Sequence, residues 1–297
     1  MDTIALIINS NAGNQSLRED LPYIVNRLQH ISTNVTLHYT EKPGDGKRII
    51  DEIASDVDLL IAIGGDGTVH ECVNALAHQP NRPLFAILPG GTCNDFTRAL
   101  GISQDHRLAV EQILDLRTRH IDIGSHNGNY FLNFWGIGCI TQVSQQIHKG
   151  LKKDWGRLAY YLSALQTISD PQRFEISIQT DTFNYQDEVV MMIVGNGSYL
   201  GGMTTFFPRS SVVDGLLDVL IIRDLSIDLL WSLLESRIMD QLPTGSDLAY
   251  FHCNQLEVQS NPSLLIDCDG EKLHHTPSKI QVHPRYLEMV VGDFTSG

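Results

Sequence analysis

The sequence predicts a doubly wound parallel α/β domain at the N-terminal end, followed by an antiparallel β-sandwich. Three observations predict it. Across residues 1–125, short unbroken apolar runs alternate with helical periodicity, which implies a parallel sheet with right-handed crossovers. Those runs end in glycine-rich turns, and ligands on such sheets sit at the carboxyl ends of the strands. Beyond residue 125, short strand signals recur at close spacing with turn residues between them, the pattern of a sandwich. The turn cluster Ser125-His126-Asn127-Gly128-Asn129 marks the boundary, giving domains 1–125 and 126–297. Whether residues 291–297 return to the first domain is left open.

In order, residues 3–8 read as a buried strand running into Asn9-Ser10-Asn11-Ala12-Gly13-Asn14, and Leu17, Leu21, Ile24, Val25 and Leu28 mark one helical face. Residues 35–40 form a second strand, broken by Pro43-Gly44-Asp45-Gly46, and a helix over 47–54 leads to the central strand, 59–63. That strand has no polar alternation, as expected of one buried on both faces. It stops at Gly64-Gly65-Asp66-Gly67-Thr68, after which Val69, Val73, Leu76 and Ala77 recur at helical spacing. Strand, glycine turn and helix start aim backbone N–H groups and a helix dipole at phosphate. Asp66 inside such a loop would repel phosphate unless a divalent cation lay between them, so the loop reads as nucleotide plus metal. No Gly-Lys-Ser/Thr follows, which excludes a Walker loop, and the spacing excludes the dinucleotide fingerprint. A fourth strand, 84–88, ends in a second glycine turn, Pro89-Gly90-Gly91-Thr92-Cys93-Asn94-Asp95-Phe96.

In the second domain strands are expected over 130–134, 173–179, 185–194, 217–222, 255–259, 264–268, 280–283 and 286–290, with helices over 155–168 and 227–238. A net charge of −14 argues against nucleic acid as partner. The five cysteines are scattered without Cys-x-x-Cys spacing, which fits a reduced compartment. No signal peptide is read, and the longest apolar runs are too short to span a bilayer.

Carboxylates supply the remaining candidates. Asp66, Asp95 and Asp122 are expected at strand ends on one sheet edge, where they could form an acidic shell around a divalent cation. Each taken singly is a cap or turn aspartate. Asp267, Asp269 and Glu271 alternate, so an extended chain would crowd three carboxylates on one face, useful to a base acting near neutral pH. The alternative is a hairpin turn with Asp269-Gly270 at its tip. His70, His274 and His275 have no metal-binding spacing, and Cys93 reads as a packing residue.

Gly-Gly-Asp-Gly-Thr at 64–68, Pro-Gly-Gly-Thr-x-Asn-Asp-Phe at 89–96, Asp-Gly-Leu-Leu-Asp-Val at 214–219 and Asp-Gly-Glu at 269–271 occur in that order. Over nearly its whole length the chain resembles the diacylglycerol kinase catalytic-domain family, of the bacterial soluble lipid kinase type, related to sphingosine kinases. The first motif is shared with NAD kinases and resembles phosphofructokinases, so the N-terminal domain is expected to be of their type. The resemblance implies ATP- and Mg²⁺-dependent transfer of phosphate to the hydroxyl of diacylglycerol, giving phosphatidic acid. A sphingoid base or phosphatidylglycerol is the alternative acceptor. An NAD kinase is a more distant alternative, against which the Asp214 and Glu271 motifs argue.

By resemblance the nucleotide site takes in Asn9, Ser10, Asn11, Ala12, Gly13 and Thr40. It continues through Gly64, Gly65, Asp66, Gly67, Thr68, Val69 and His70, and closes with Gly91, Thr92 and Asn94. Asp66 and Glu271 are the catalytic candidates, with Glu271 as general base toward the lipid hydroxyl. Asp214, with the backbone carbonyls of Ser211 and Leu216, is implied to hold a structural Mg²⁺; read on spacing alone it is an Asp-Gly turn. Family likeness also suggests a homodimer. Lys149, Lys152, Lys153 and Arg157, interleaved with Leu151, Trp155 and Leu158, read as a surface for anionic membrane, against the commoner alternative of a solvated helix end. A cytoplasmic protein, peripheral at the inner face of the membrane, is the expectation.

Overall fold

The computed structural model describes residues 1–10, 15–141, 171–204, 207, 210–239, 241–272 and 274–294. Asn11, Ala12 and Gly13, the basic segment 149–157 and the helix expected over 155–168 lie outside the described residues. The chain divides into two compact units, Met1–Ile123 with Arg285–Ser296, and Gly124–Pro284.

The first unit runs β1 (Thr3–Asn9), α1 (Gln15–Leu28), β2 (Asn34–Thr40), α2 (Asp45–Ile53), β3 (Leu59–Gly64), α3 (Asp66–Ala77), β4 (Leu84–Pro89), α4 (Asp95–Ala99), α5 (His106–Leu114) and β5 (Thr118–His126). β1 pairs in parallel with β2 on one side and β3 on the other, and β3 pairs in parallel with β4. The chain therefore reverses its direction of travel across the sheet between β1 and β3, the topological switch point at which such sheets bind ligands. α1 packs with α5, and α2 with α3. Every residue of β3 is buried, which is why the strand reads as an unbroken apolar run.

The second unit continues with β6 (Asn129–Phe131), β7 (Phe134–Gly138), β8 (Phe174–Thr180), β9 (Asn184–Val189), β10 (Met191–Gly195), β11 (Tyr199–Leu200), β12 (Met203–Thr204), β13 (Leu217–Ile222), α6 (Ile227–Met239), β14 (Leu248–Cys253), β15 (Gln255–Asn261), β16 (Asp267–Cys268) and β17 (Ser278–Val290). One antiparallel layer has the order β14-β13-β10-β7-β16. Opposite it, β15 pairs with β8 and with the first half of β17, and β8 pairs with β9. Between the layers lie Trp135, Ile176, Ile178, Val194, Val219, Leu256 and Ile280. On the outer face of β10 and β13, Leu229 and Leu233 of α6 join Met191, Ile193, Leu220 and Ile222. Apolar cover on both faces explains the unbroken apolar runs of β10 and of residues 219–222 in β13.

Three strand expectations change. The run 185–194 is two strands, because β9 pairs with β8 in one layer while β10 pairs with β13 and β7 in the other. The run 130–134 divides in the same way between β6 and β7. Conversely, 280–283 and 286–290 are one strand, β17; Arg285 within it adopts φ 53°. Its end lies in the first unit, where Met289 pairs in parallel with Phe85 of β4.

α1 and α5 are joined by a polar clasp. Arg27 donates to both Glu111 oxygens at 2.6 Å, and the Tyr23 hydroxyl donates to Oε1 at 2.9 Å. The Arg27 guanidinium holds the Glu111 carboxyl below its usual range, so the contribution is full above that range and lost as pH falls through it. Solvent reaches both side chains, which limits its size. Glu111→Gln should lower Tm by about 1–2 °C at neutral pH, and the gap to wild type should close below about pH 4, as read by thermal melts across pH.

Candidate nucleotide site

The two glycine turns of the first unit pack backbone against backbone. A methyl on Gly91 would come within 2.5 Å of Gly65 Cα, and one on Gly90 within 2.9 Å of Gly64 Cα. The Gly90 N–H donates to the Gly64 carbonyl at 2.8 Å. No side chain fits between the turns, so glycine is required here for close approach. Asp66 then joins them: its Oδ1 accepts the Asp95 N–H at 2.7 Å and its Oδ2 the Asn94 N–H at 3.0 Å. Asn94 takes a left-handed conformation (φ 53°, ψ 46°). Its side chain accepts from the Gly91 N–H at 2.8 Å and donates to the Gly91 carbonyl at 3.0 Å, closing the second turn on itself. Gln104, which the sequence did not single out, accepts from the same amide at 3.0 Å.

At the switch point the Asn9 amide donates to the Thr68 hydroxyl at 2.9 Å, linking the end of β1 to the first turn of α3. The Thr40 carbonyl, at the end of β2, accepts both the Ser10 N–H (3.1 Å) and the Ser10 hydroxyl (2.7 Å). At the four strand ends these bonds form three groups: Asn9 with Thr68, Ser10 with Thr40, and Asp66 with Asn94 and Gly91. Gly67, Gly91 and Thr92 are solvent-exposed, whereas Val69 is buried in the core and His70 is bonded to Asn74 on its own helix.

The helix starts differ in how they are capped. Asp66 meets the first amides of α4, Asp105 accepts from Arg107 and Leu108 at the start of α5, and Glu71 accepts from Gly44 and Lys47 at the start of α2. α3 opens on Gly65, which carries no side chain to cap it. The first four N–H groups of a helix have no intrahelical acceptor, and a carboxylate cap competes with phosphate for them. In the turn 40–46 the Glu41 and Lys42 amides go to Asp45 at 3.0 and 3.1 Å, and those of Gly44 and Lys47 to Glu71, so these four amides are already engaged by carboxylates.

The acidic residues fare variously. Among the described residues no three His, Cys, Asp or Glu side chains are grouped to hold a metal. Asp122 lies in the middle of β5 rather than at a strand end; it is fully buried and accepts the Arg285 N–H at 2.7 Å. Asp95 is buried at the start of α4. The expected shell of Asp66, Asp95 and Asp122 is therefore not a three-carboxylate cage. Asp66 alone, with phosphate oxygens and water, is a donor set that suits Mg²⁺.

In the second unit, Asp269 and Gly270 both have positive φ (50° and 92°), and Cys268 and Glu271 exchange N–H···O bonds at 2.9 and 2.8 Å. This is a two-residue hairpin, not an extended run, because Asp-Gly readily adopts the left-handed conformation at both turn positions. The three carboxylates consequently separate. Asp267 is buried, accepts the Gly270 N–H at 3.0 Å and lies 3.5 Å from the Lys272 ammonium. Asp269 accepts the N–H groups of Leu132 (2.7 Å), Asn133 (2.9 Å) and Phe134 (2.9 Å), tying the hairpin to β7. Glu271 is exposed. Burial pushes the Cys268 thiol up, leaving it a packing group. Asp214 and Leu216 are exposed, Ser211 is half-buried, and Asp214 Oδ1 accepts the Leu216 N–H at 2.9 Å across Gly215 (φ 75°). A carboxylate of this kind, completed by main-chain carbonyls and water, is again a donor type that Mg²⁺ accepts.

Residues 3–126 match the family described as the diacylglycerol kinase catalytic domain, and residues 137–291 the family described as the YegS C-terminal NAD kinase beta sandwich-like domain. A protein of Staphylococcus aureus strain JH9 named putative lipid kinase is 30% identical over 292 residues, 96% of this chain and 95% of that one. The crystal structure of a putative diacylglycerol kinase from Bacillus anthracis strain Sterne superposes with a TM-score of 0.86 at 34% identity, covering 98% of both chains. A second structure from that strain, described as a diacylglycerol kinase, gives 0.80 at 33% identity, covering 98% of this chain and 97% of that one.

Gly91→Ala should force the glycine turns apart and cost about 1–3 kcal/mol in denaturant unfolding. Gly245→Ala, whose methyl meets nothing within 4 Å, is the neutral control. Asp269→Asn leaves one of three amides facing an NH₂ group and should cost about 1–3 kcal/mol in the same measurement.

Proposed function

Given that the chain belongs to the diacylglycerol kinase catalytic-domain family, we propose that it transfers the γ-phosphate of ATP to the hydroxyl of diacylglycerol, yielding phosphatidic acid. The supporting observation is the contrast among helix starts: the glycine-opened start of α3 lacks a side-chain cap, while carboxylates cap α2, α4 and α5. Phosphoryl transfer asks for positioning and charge neutralisation more than for covalent chemistry. The Gly64–Thr68 amides hold the phosphates, Thr68 adds its hydroxyl, and Gly91–Thr92 closes from β4. Asp66 is the protein's ligand to a Mg²⁺ that, when bound, neutralises charge between the phosphates. Asp214, with the carbonyls of Ser211 and Leu216, would hold a second, structural Mg²⁺. Glu271, exposed beside its hairpin, takes the proton of the attacking hydroxyl. Among the described residues no helix is long and apolar enough to cross a membrane. The enzyme meets its lipid from the cytoplasmic side, with the segment 149–157 as the membrane contact.

With Mg²⁺, labelled ATP and diacylglycerol in mixed micelles, the wild type should produce labelled phosphatidic acid. Glu271→Gln should lower kcat by about 10²–10⁴-fold while ATP affinity stays unchanged. Turnover in both would remove Glu271 as base. Label in a sphingoid base or phosphatidylglycerol, and none in diacylglycerol, would replace the acceptor; label in NAD alone would replace the lipid-kinase reading.

A further inference from the structure

Glu71 belongs to none of the motifs read from the sequence. It stands on α3, about one helical turn past Thr68 and half-buried. Its Oε1 accepts the Gly44 N–H at 3.0 Å and the Lys47 N–H at 3.1 Å. Gly46 packs against the same carboxylate, where an added methyl would come 3.0 Å from Oε1. α2 has no cap of its own, because its N-cap is Gly44 at φ 93°. The missing acceptor arrives from another helix. Asp45 meanwhile binds the Glu41 and Lys42 amides, so the turn between β2 and α2 is held by two carboxylates. One of these rides on the helix that opens with the glycine loop. At the near end of the turn, the buried Thr40 holds Ser10 through its carbonyl.

We infer that Glu71 is a positioning residue for the nucleotide. It fixes the turn after Thr40 at one spacing from the Gly64–Thr68 loop, so that the contributions of β2 and α3 to the site move as one body. This inference rests on the nucleotide reading above. Glu71 touches no substrate in this role and acts through two main-chain amides. A simple helix cap would contribute stability without affecting nucleotide affinity; a positioning residue sets affinity as well.

The test is ATP binding by equilibrium dialysis, without lipid, alongside steady-state kinetics and amide exchange. Glu71→Ala should raise Kd and KM for ATP about tenfold with kcat changed by less than about twofold, and should speed exchange at Gly44 and Lys47. Glu71→Gln retains an oxygen acceptor and should stay within about threefold of wild type in both constants, with exchange still slow. Glu111→Ala, chosen to lower Tm comparably, should leave ATP affinity unchanged. Unaltered ATP affinity in Glu71→Ala despite fast exchange would overturn positioning. So would a loss confined to kcat, or the same affinity loss in Glu111→Ala. A wild type that binds no ATP overturns the kinase reading itself, and is seen before any substitution is made.

Discussion

The first unit depends on a carboxylate that reaches from one glycine turn into the next. Asp66 binds the amides of Asn94 and Asp95 with separate oxygens, at 3.0 and 2.7 Å. Charge-assisted bonds of this kind are about twice as strong as neutral ones, and a two-oxygen grip also fixes direction. The grip works only because the turns can touch: a Cβ on Gly91 would come within 2.5 Å of Gly65 Cα, and one on Gly65 within 3.2 Å of Gly91 Cα. Glycine supplies the proximity and aspartate the register. Remove either and the end of β3 loses its fixed relation to the end of β4.

The second unit uses the same device. Asp269 gathers three consecutive amides, Leu132 to Phe134, as Asp66 gathers two. In both cases a loop carboxylate organises main-chain N–H groups of a neighbouring strand or helix, and the residue beside it is left to face solvent. Glu271 stands two positions after Asp269 in this way, and Gly67 directly after Asp66. An anchored aspartate next to an exposed residue gives a rigid base under an accessible group, an arrangement suited to a reaction governed by positioning.

Much of this was legible in the sequence, for reasons that differ by element. The run Leu59–Gly64 announced a central strand because burial on both faces removes every polar position. The glycine turns announced themselves because their backbone approach admits nothing else. The destinations of the carboxylates were not legible. Asp267, Asp269 and Glu271 alternate like a strand face, yet left-handed φ at Asp269 and Gly270 reverses the chain and sends each elsewhere. Asp122 looked like a strand-end ligand because β5 could not be bounded from pattern alone. Glu71 carried no signal at all: its partners, Gly44 and Lys47, are main-chain groups 27 and 24 positions away. Hydrogen bonds to backbone leave no complementary side chain in the sequence to find. The division of 185–194 was not legible for a related reason: the polar run of β9 passes into the apolar run of β10 with no glycine or proline between them, and the change of pairing partner marks the break.

For a chain of net charge −14 to bind a polyanion, as the proposed function requires, it must solve an electrostatic problem, and the placement of its acids bears on how. Near the glycine loops the carboxylates are satisfied by amides: Asp45 by Glu41 and Lys42, Glu71 by Gly44 and Lys47, Asp66 by Asn94 and Asp95. The amides of Glu41 and Lys42 hold the Asp45 carboxyl below its usual range, so it stays ionised and committed to its cap. Each such carboxylate offsets the positive end of the helix or turn whose amides it binds, and the ends so offset offer little to phosphate. Against the starts of α2, α4 and α5 stands that of α3, where glycine takes the place of a cap. Selectivity for one phosphate position among several helix starts then follows from where acids are spent, not from added lysine or arginine. The same placement is why the nucleotide reading requires a divalent cation: phosphates held at the start of α3 would lie beside Asp66, and a metal between them would turn that proximity from repulsion into binding.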